Sequence, residues 1–156
     1  MNLYLSLGSN LGDRKENIRK ALECLDKAFG VHYSALSEII ETEPWGFDSA
    51  NGFLNCCVLY SLPKKMDGET VLGICKETER SLGRVGKAEF DGGGKRIYHD
   101  RTIDIDILFL GRERINSETL TVPHPLIRER DFVMVPLREI ARPSLRSAFP
   151  EYFSKK

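Results

Sequence analysis

Apolar positions in the first fifth of the chain change from the pattern of a strand to that of a helix. Residues 3–7 form a nearly continuous apolar run, and a turn over residues 8–13 with two glycines ends it. The run predicts a buried strand. Beyond the turn, apolar residues recur at helical spacing, which predicts an amphipathic helix that Gly30 ends. The apolar face of this helix consists of Ile18, Ala21, Leu22, Leu25 and Phe29.

Two further apolar segments and a second helical pattern follow. Residues 31–41 and residues 53–62 predict strands, with a loop over residues 42–52 between them and Pro63 after the second strand. Asp67 is of a residue type favoured at helix N-caps, and apolar residues at helical spacing come after it. This second helix would place Val71, Leu72, Cys75, Thr78 and Leu82 on one face.

The remaining pattern completes a known order of elements. Residues 83–101 are rich in glycine and predict an irregular stretch, residues 102–110 a fourth strand, and residues 121–125 a stiff loop. Residues 126–140 predict short helical pieces that Pro136 interrupts. The order β-α-β-β-α-β with a C-terminal helical appendage predicts an α+β ferredoxin-like sandwich, in which two helices cover one face of an antiparallel sheet. The other face would be open to carry a site.

Composition and charge limit the class of protein. The 156 residues are 41% hydrophobic and 29% charged, which predicts one globular domain over residues 1–156. Lysine plus arginine equals aspartate plus glutamate at 23 each, so a general binder of nucleic acid or anionic membrane is disfavoured. No apolar run approaches the roughly 20 residues of a membrane span. Because the sequence opens on a strand-like segment, we expect no signal peptide. Four cysteines without a C-x-x-C pair favour free thiols in a reducing cytosol, and hence a cytoplasmic protein.

Two aspartates in the fourth predicted strand are the strongest indication of chemistry. Residues 102–107 alternate strictly, so Asp104 and Asp106 share one face with Cα atoms ~6.6 Å apart. A solvated edge strand is one interpretation. The other is that a divalent cation relieves the repulsion between the carboxylates, and hard oxygen ligands favour Mg²⁺ over zinc. Two such ions could share the pair and bind a polyphosphate chain.

Cationic residues flank the aspartate strand and the stretch before it. Arg101 lies directly before the strand, and Arg84 and Lys87 lie near the start of residues 83–101. Planar guanidinium groups match phosphate oxygens, so these residues suit a metal-bound polyphosphate. The length, glycines and cations of the stretch favour a lid over the phosphates, and a solvated charged loop is the alternative. His124 lies between two prolines that restrict its backbone, so a phosphate contact and an incidental loop histidine are equally good interpretations.

Six short segments occur in the order found in a known enzyme family. On them the chain resembles the 6-hydroxymethyl-7,8-dihydropterin pyrophosphokinases of folate biosynthesis, and the resemblance covers nearly the whole chain. The string Arg-Thr-Ile-Asp-Ile-Asp is highly specific, and Gly-Ser-Asn-Leu-Gly is moderately so. The segments are residues 6–12, 42–46, 53–55, 83–84, 101–106 and 122–125.

The resemblance implies a fold, a reaction and a set of site residues. It implies a ferredoxin-like fold, usually monomeric, which converts ATP and hydroxymethyl-dihydropterin into AMP and the pterin diphosphate. Asp104 and Asp106 would bind two Mg²⁺ ions, and Arg84 and Arg101 would support the transfer. The resemblance further implies that Glu79 lies near the adenosine, that Lys87, His124 and Arg130 contact ATP, and that Thr42, Trp45, Phe53, Asn55 and Phe132 form the pterin pocket.

Two departures from the family pattern affect the expected contacts. The segment between Lys87 and Arg101 is longer than in compact members and lacks a tryptophan often found there. Pro125 stands where an aromatic residue often follows the histidine. For Phe53 and Phe132, offset stacking on the flat pterin is the functional interpretation, and ordinary core packing is the alternative.

Other classes of function fit parts of the same pattern. A different Mg²⁺ phosphotransferase would share the metal site and differ in its acceptor pocket. An RNA-binding module would use aromatic residues on the sheet, but a neutral net charge and two carboxylates on the same face disfavour it. A regulatory domain that binds a small molecule without chemistry is the third alternative. The expected partners are therefore small-molecule substrates, with no nucleic acid and no membrane.

Overall fold

The computed structural model describes residues 1–42, 52–83, 89–90, 96–97 and 102–154. Within them, the principal strands are β1 (Asn2–Ser9), β2 (Ala35–Leu36), β3 (Ile40–Thr42), β4 (Phe53–Ser61) and β7 (Asp104–Leu110). Two short hairpins consist of β5 (Glu89–Phe90) with β6 (Arg96–Ile97) and β8 (Ile115–Asn116) with β9 (Thr121–Val122). The helices are α1 (Arg14–Phe29), α2 (Gly68–Ser81), α3 (Asp131–Ile140) and α4 (Pro143–Ala148), and 3₁₀ turns lie at Ile127–Glu129 and Pro150–Tyr152.

The main sheet has the order β2-β4-β1-β7. The short strand β3 also pairs with β4, next to β2. Every pairing in this sheet is antiparallel. Apolar residues of α1 and α2 pack with alternate residues of β1, β4 and β7 on one face of the sheet. This arrangement confirms the predicted ferredoxin-like α+β fold. No helix in the described parts of the chain is long and apolar enough to cross a membrane.

Both predicted helices begin, and α1 also ends, at the residues that their chemistry favours. The Asp13 carboxylate accepts the Glu16 N–H at 3.2 Å at the start of α1, and Gly30 ends this helix with φ 70°. A positive φ favours glycine because it has no Cβ. The Asp67 carboxylate accepts the Thr70 N–H at 2.8 Å at the start of α2. Local side-chain hydrogen bonds therefore fix the starts of both helices that cover the first face, and Gly30 fixes the end of α1.

The second face of the sheet is not open along its whole length, which corrects part of the prediction. Apolar residues of α3 and α4 cover its half around Tyr4, Leu59 and Phe109. The Tyr4 hydroxyl accepts the Arg142 N–H at 3.0 Å and so ties the C-terminal segment to β1. The polar half of this face lies toward the C-terminal end of β1, where Ser6 and Gly8 pair with Asp106 and Asp104.

The second predicted strand is two short strands, because a bulge interrupts its pairing with β4. Leu36 pairs with Val58, and Ile40 pairs with Asn55. The chain therefore advances four residues from β2 to β3 while its partner β4 advances three. At the interruption the Ser37 hydroxyl accepts the Cys57 N–H at 2.8 Å. The extra residue is the mark of a β-bulge, which alternation of apolar residues alone does not reveal.

Two predictions for the C-terminal half also need correction. Pro136 lies inside α3 without ending it. A proline inside a helix costs ~3 kcal/mol, but α3 buries several large apolar side chains, each worth roughly 1.5–3 kcal/mol. Within residues 83–101, which were predicted to be irregular, β5 and β6 form a short hairpin. The residues that α3 buries are Val133, Met134, Pro136, Leu137 and Ile140.

Candidate active site

Asp104 and Asp106 lie on the polar half of the second sheet face, as the alternation predicts. In β7 both are partly exposed, whereas Ile105 between them is buried. Asp104 pairs with Gly8 and Asp106 pairs with Ser6 of β1. The two carboxylates therefore project from neighbouring outward positions of one strand.

The N-terminal motif holds the entry to β7. The Ser9 hydroxyl donates to the Thr102 carbonyl oxygen at 2.5 Å. The Asn17 amide donates to the Ser9 hydroxyl at 3.2 Å and to the Leu11 carbonyl oxygen at 2.7 Å. The Ser-Asn-Leu-Gly turn thus joins α1 to the backbone two residues before Asp104. Sequence reasoning assigned this turn only a connecting role and missed its contact with β7.

Glu79 supports the aspartate strand from the other side. It lies in the last turn of α2 and is 6% exposed. Its Oε2 atom accepts the Ile105 N–H at 2.8 Å. A helix on the first face therefore reaches the backbone between Asp104 and Asp106. The expected contact of Glu79 with adenosine stays a prediction.

His124 and Arg130 place two nitrogen donors near Asp106. His124 Nε2 lies 4.0 Å and Arg130 Nη1 lies 3.9 Å from Asp106 Oδ2. The His124 N–H donates to the Leu108 carbonyl oxygen at 3.1 Å, which fixes this loop against β7. The peptide bond between Val122 and Pro123 that leads into it is cis. The sequence predicted both residues as site residues but did not indicate that they would meet at the same aspartate.

The imidazole of His124 is neutral at neutral pH. Burial lowers the pKa of His124 to about 4, the positive charge of Arg130 acts in the same direction, and Asp104 opposes them. The Leu126 N–H donates to His124 Nδ1 at 3.2 Å, so this nitrogen carries a lone pair. The proton of the neutral ring is therefore on Nε2, the nitrogen nearer to Asp106. His124 can donate this hydrogen to an anionic group without being charged itself.

A second cluster, next to the aspartates, contains three of the five residues predicted for the pterin pocket. Asn55 is 4% exposed, and its amide donates to the Thr42 hydroxyl at 2.7 Å. Asn55 and Phe53 both belong to β4. Asn55 pairs with Gly8 of β1, and Phe53 pairs with Thr42 of β3. A Cβ atom at position 8 would lie 2.9 Å from Asn55 Oδ1 and 3.4 Å from Phe53 Cδ1. Gly8 therefore leaves the room that these two side chains occupy, a role that its place in a turn motif did not indicate.

Phe132 connects the cluster around Asp106 to the C-terminal helices. Its ring lies 5.6 Å from the guanidinium carbon of Arg130, which is a cation–π distance. Phe132 is partly buried against the core of the second face. Packing thus holds part of the ring, and the stacking role expected of it stays a prediction.

Four predicted site residues lie outside the described residues. They are Trp45 of the expected pterin pocket, and Arg84, Lys87 and Arg101 of the expected phosphate site. The lid expected over residues 83–101 also falls largely outside them. Their functional roles stay predictions based on the sequence.

The donor set fits a magnesium site that a substrate completes. Among the described residues, no group of three or more His, Cys, Asp or Glu side chains is arranged to hold a metal ion. Two carboxylates are nonetheless what a polyphosphate-bound Mg²⁺ takes from a protein, since water and phosphate oxygens supply its other ligands. Asp104 and Asp106 provide hard oxygens and no competing sulfur or histidine pair, which fits Mg²⁺ and disfavours zinc.

Comparisons with known proteins match one family over most of the chain. Residues 4–142 match the family model described as 7,8-dihydro-6-hydroxymethylpterin-pyrophosphokinase (HPPK). The chain is 45% identical over 140 residues to a 2-amino-4-hydroxy-6-hydroxymethyldihydropteridine pyrophosphokinase of Porphyromonas gingivalis, covering 89% of this chain and 90% of that one. A protein of the same name from Bacillus subtilis is 36% identical over 139 residues, covering 89% and 77% of the two chains. The Aquifex aeolicus protein of that name is 40% identical over 138 residues, covering 88% and 79%.

A solved structure shares the fold. It is described as an HPPK-DHPS in complex with substrates, and it superposes with a TM-score of 0.62 at 15% sequence identity. The match covers 97% of this chain and 43% of that chain. At this level of identity the likeness concerns the arrangement of strands and helices alone.

Proposed function

This chain belongs to the 7,8-dihydro-6-hydroxymethylpterin-pyrophosphokinase family, and we propose that it transfers pyrophosphate from ATP to 6-hydroxymethyl-7,8-dihydropterin by means of Asp104, Asp106 and the donors around them. The products are AMP and the pterin diphosphate of folate biosynthesis. The observation that carries the assignment of residues is the geometry of β7. Two partly exposed carboxylates share one face there, and Asp106 lies about 4 Å from donors of His124 and Arg130.

Asp104 and Asp106 would hold the magnesium ions, two in number, that bind the triphosphate. Bound Mg²⁺ would neutralise charge on the phosphates and orient them for in-line attack. The protein contributes the two carboxylates, and it keeps their shared orientation by pairing Asp104 and Asp106 with β1. Family membership and the chemistry of the two carboxylates support this assignment.

Arg130 and His124 would contact the phosphates beside the metal-binding carboxylates. Arg130 supplies a permanent charge, and neutral His124 supplies the Nε2 hydrogen without adding repulsion toward Mg²⁺. Arg84 and Arg101 would stabilise the charge that develops in the transition state, and Lys87 would contact ATP. The resemblance supports these three roles. Donors that are oriented before the reaction stabilise developing charge at little further cost.

The pterin would lie against the cluster around Asn55. Its amide and amino edge requires paired donors and acceptors, and Asn55 and Thr42 are already oriented by their mutual hydrogen bond. Phe53 and Phe132 would stack on the ring, with Trp45 as a further contact. The hydroxymethyl oxygen would then attack the β-phosphorus and lose its proton to solvent, while the bond from this phosphorus to the bridging oxygen of the α-phosphate breaks and AMP leaves. Catalysis on this scheme is mainly positioning and electrostatics.

We further propose that the protein acts as a cytoplasmic monomer and that residues 1–156 form one domain. Two observations support a single domain. Both core clusters share the sheet β2-β4-β1-β7, and the family match extends over residues 4–142. Gel filtration with light scattering would test the monomer, and a mass of twice 17.7 kDa would contradict it.

Release of AMP tests the reaction and its metal requirement. With ATP, Mg²⁺ and 6-hydroxymethyl-7,8-dihydropterin, we expect AMP and the pterin diphosphate in equal amounts, measured by chromatography. Omission of the pterin or addition of excess EDTA is expected to abolish AMP formation, and added Mg²⁺ to restore it. ADP as the product would indicate an ordinary kinase, and the absence of any turnover would favour a binding module.

Gly8→Ala is expected to weaken use of the pterin and leave ATP binding largely intact. The new methyl group would approach Asn55 Oδ1 at 2.9 Å and displace an amide that the substrate needs. Loss of a buried hydrogen bond costs ~1–3 kcal/mol, so kcat/KM for the pterin should fall roughly 10- to 100-fold. Steady-state kinetics with each substrate varied in turn would measure this.

Gly73→Ala is the matched control for this substitution. Gly73 lies in α2, and apart from the helix's own backbone no atom of the described residues comes within 4 Å of a Cβ at this position. Alanine there should leave the kinetics unchanged and stabilise the helix by ~1 kcal/mol. Equal kinetics for the wild type and Gly8→Ala would contradict the placement of the pterin beside Asn55.

A further inference from the structure

We propose that Glu79 is a positioning residue, which keeps Asp104 and Asp106 in register for metal binding by holding the backbone between them. This inference rests on the proposed function of the two aspartates. It differs from the expected adenosine contact of Glu79, because the action runs through the protein backbone of β7 and not through the nucleotide.

The contact lies at the outer edge of the sheet. β7 is the last strand in the order β2-β4-β1-β7, so half of its backbone groups face away from β1. The Ile105 N–H is one of these, and it donates to Glu79 Oε2 at 2.8 Å. An edge strand needs partners for such groups. Glu79 therefore takes the place that a further strand would occupy, at the one residue that separates the two aspartates.

The Glu79 carboxylate lies inside the protein, at a fixed place on α2. Glu79 is 6% exposed and belongs to the last turn of that helix. An edge N–H of a strand can be satisfied by water or a hydroxyl. An oxygen held by a buried side chain of a helix is less mobile than a water molecule, so it constrains the strand more tightly.

Rotation of the backbone at Ile105 would move both metal ligands together. Asp104 and Asp106 adjoin it, and its own side chain is 6% exposed in the core of the first face. The buried side chain holds Ile105 toward the first face, and the bonded N–H holds it toward the edge of the sheet. Loss of the N–H contact would leave the core in place and loosen the strand edge, so metal binding should weaken without unfolding.

Glu79→Ala and Glu79→Gln separate this role from others. Glutamine keeps an oxygen that accepts the Ile105 N–H, whereas alanine removes it. We expect metal affinity to fall about 10- to 100-fold in Glu79→Ala, as is typical when a residue that orients a metal ligand is lost. Glu79→Gln should stay within about threefold of the wild type by the same reasoning. The control is Glu77→Ala, an exposed glutamate of the same helix that pairs with Arg80.

Two measurements test the proposal. Hydrogen exchange by NMR reports the Ile105 amide in the absence of any ligand, and we expect exchange at least about tenfold faster in Glu79→Ala than in the wild type. Calorimetric titration of Mg²⁺ in the presence of a non-hydrolysable ATP analogue reports metal affinity directly. Circular dichroism checks the fold, and Glu79→Met replaces alanine if that variant does not fold, since it fills the volume without a strong acceptor.

Each outcome supports or overturns the proposal. Faster amide exchange with weaker Mg²⁺ binding in Glu79→Ala, and rescue of both by glutamine, supports it. Unchanged exchange or unchanged Mg²⁺ affinity overturns it, and a raised KM for ATP at saturating Mg²⁺ in both variants would instead identify a nucleotide contact. If the wild type releases no AMP, the proposed function has failed. The exchange of Ile105 then still decides whether Glu79 holds β7.

Discussion

Asp106→Asn is expected to lower AMP formation by about 10³-fold while the protein stays folded. Asparagine keeps the shape of the side chain and removes the charge that a metal ion requires. Stabilisation of transition-state charge by a bound metal is worth several kcal/mol, and ~4 kcal/mol corresponds to about three powers of ten in rate. Asp104→Asn should behave in the same way, because both carboxylates lie on the same face of β7.

The measurement is the rate of AMP formation at saturating ATP, pterin and Mg²⁺. Glu118→Gln, which removes an exposed carboxylate between β8 and β9, is the control and should keep the wild-type rate. Thermal unfolding should show a cooperative transition for both aspartate variants, which separates loss of the metal ligand from loss of the fold. Wild-type turnover in either variant would refute the assignment of Asp104 and Asp106 as metal ligands.

Phe109→Ala is expected to lower the free energy of unfolding by ~3–5 kcal/mol. Phe109 is 0% exposed and stands where β7 meets the C-terminal helices. Its ring centroid lies 5.0 Å from that of Phe149, 5.3 Å from that of Tyr152 and 6.2 Å from that of Tyr4. Truncation would therefore leave a cavity between the sheet and the C-terminal segment, and remove several edge-on ring contacts.

Urea denaturation followed by circular dichroism would measure this loss. Phe153→Ala serves as the control, because its ring is only partly buried and lies 6.4 Å from Phe109. It should cost ~1 kcal/mol or less. If Phe109→Ala costs no more than the control, the C-terminal helices are not integral to the fold and the correction to the open-face prediction is wrong.

Much of the fold could be predicted because its determinants are local. The cap residues Asp13, Gly30 and Asp67 act on backbone groups within four residues of themselves, so their effect is visible in the sequence. The break between β2 and β3 could not be predicted in this way. It depends on the register against β4 and on the contact of Ser37 with Cys57, twenty residues away in the chain. Pro136 was misjudged for a similar reason, since tertiary burial of α3 outweighs the local cost of proline.

The candidate site divides in the same manner. The spacing of Asp104 and Asp106 was sufficient to place both on one face, and the motif around them was sufficient to identify the family. The sequence did not indicate that Arg130 and His124 meet at Asp106, that Gly8 makes room for Asn55, or that Glu79 holds Ile105. These relations join residues that are distant in the chain, and only the pairing of β7 with β1 and the packing of α2 against β7 bring them together.

The sequence by itself determined the period of α1, α2, β1, β4 and β7, the starts of both helices and the end of α1, and which chemical groups β7 presents. Tertiary structure decided how far the C-terminal helices extend over the second sheet face and which donors surround the two carboxylates. The physical reason is the range of the interactions. Propensity, capping and alternation act within a few residues, whereas burial and hydrogen bonding between elements depend on how the whole chain packs.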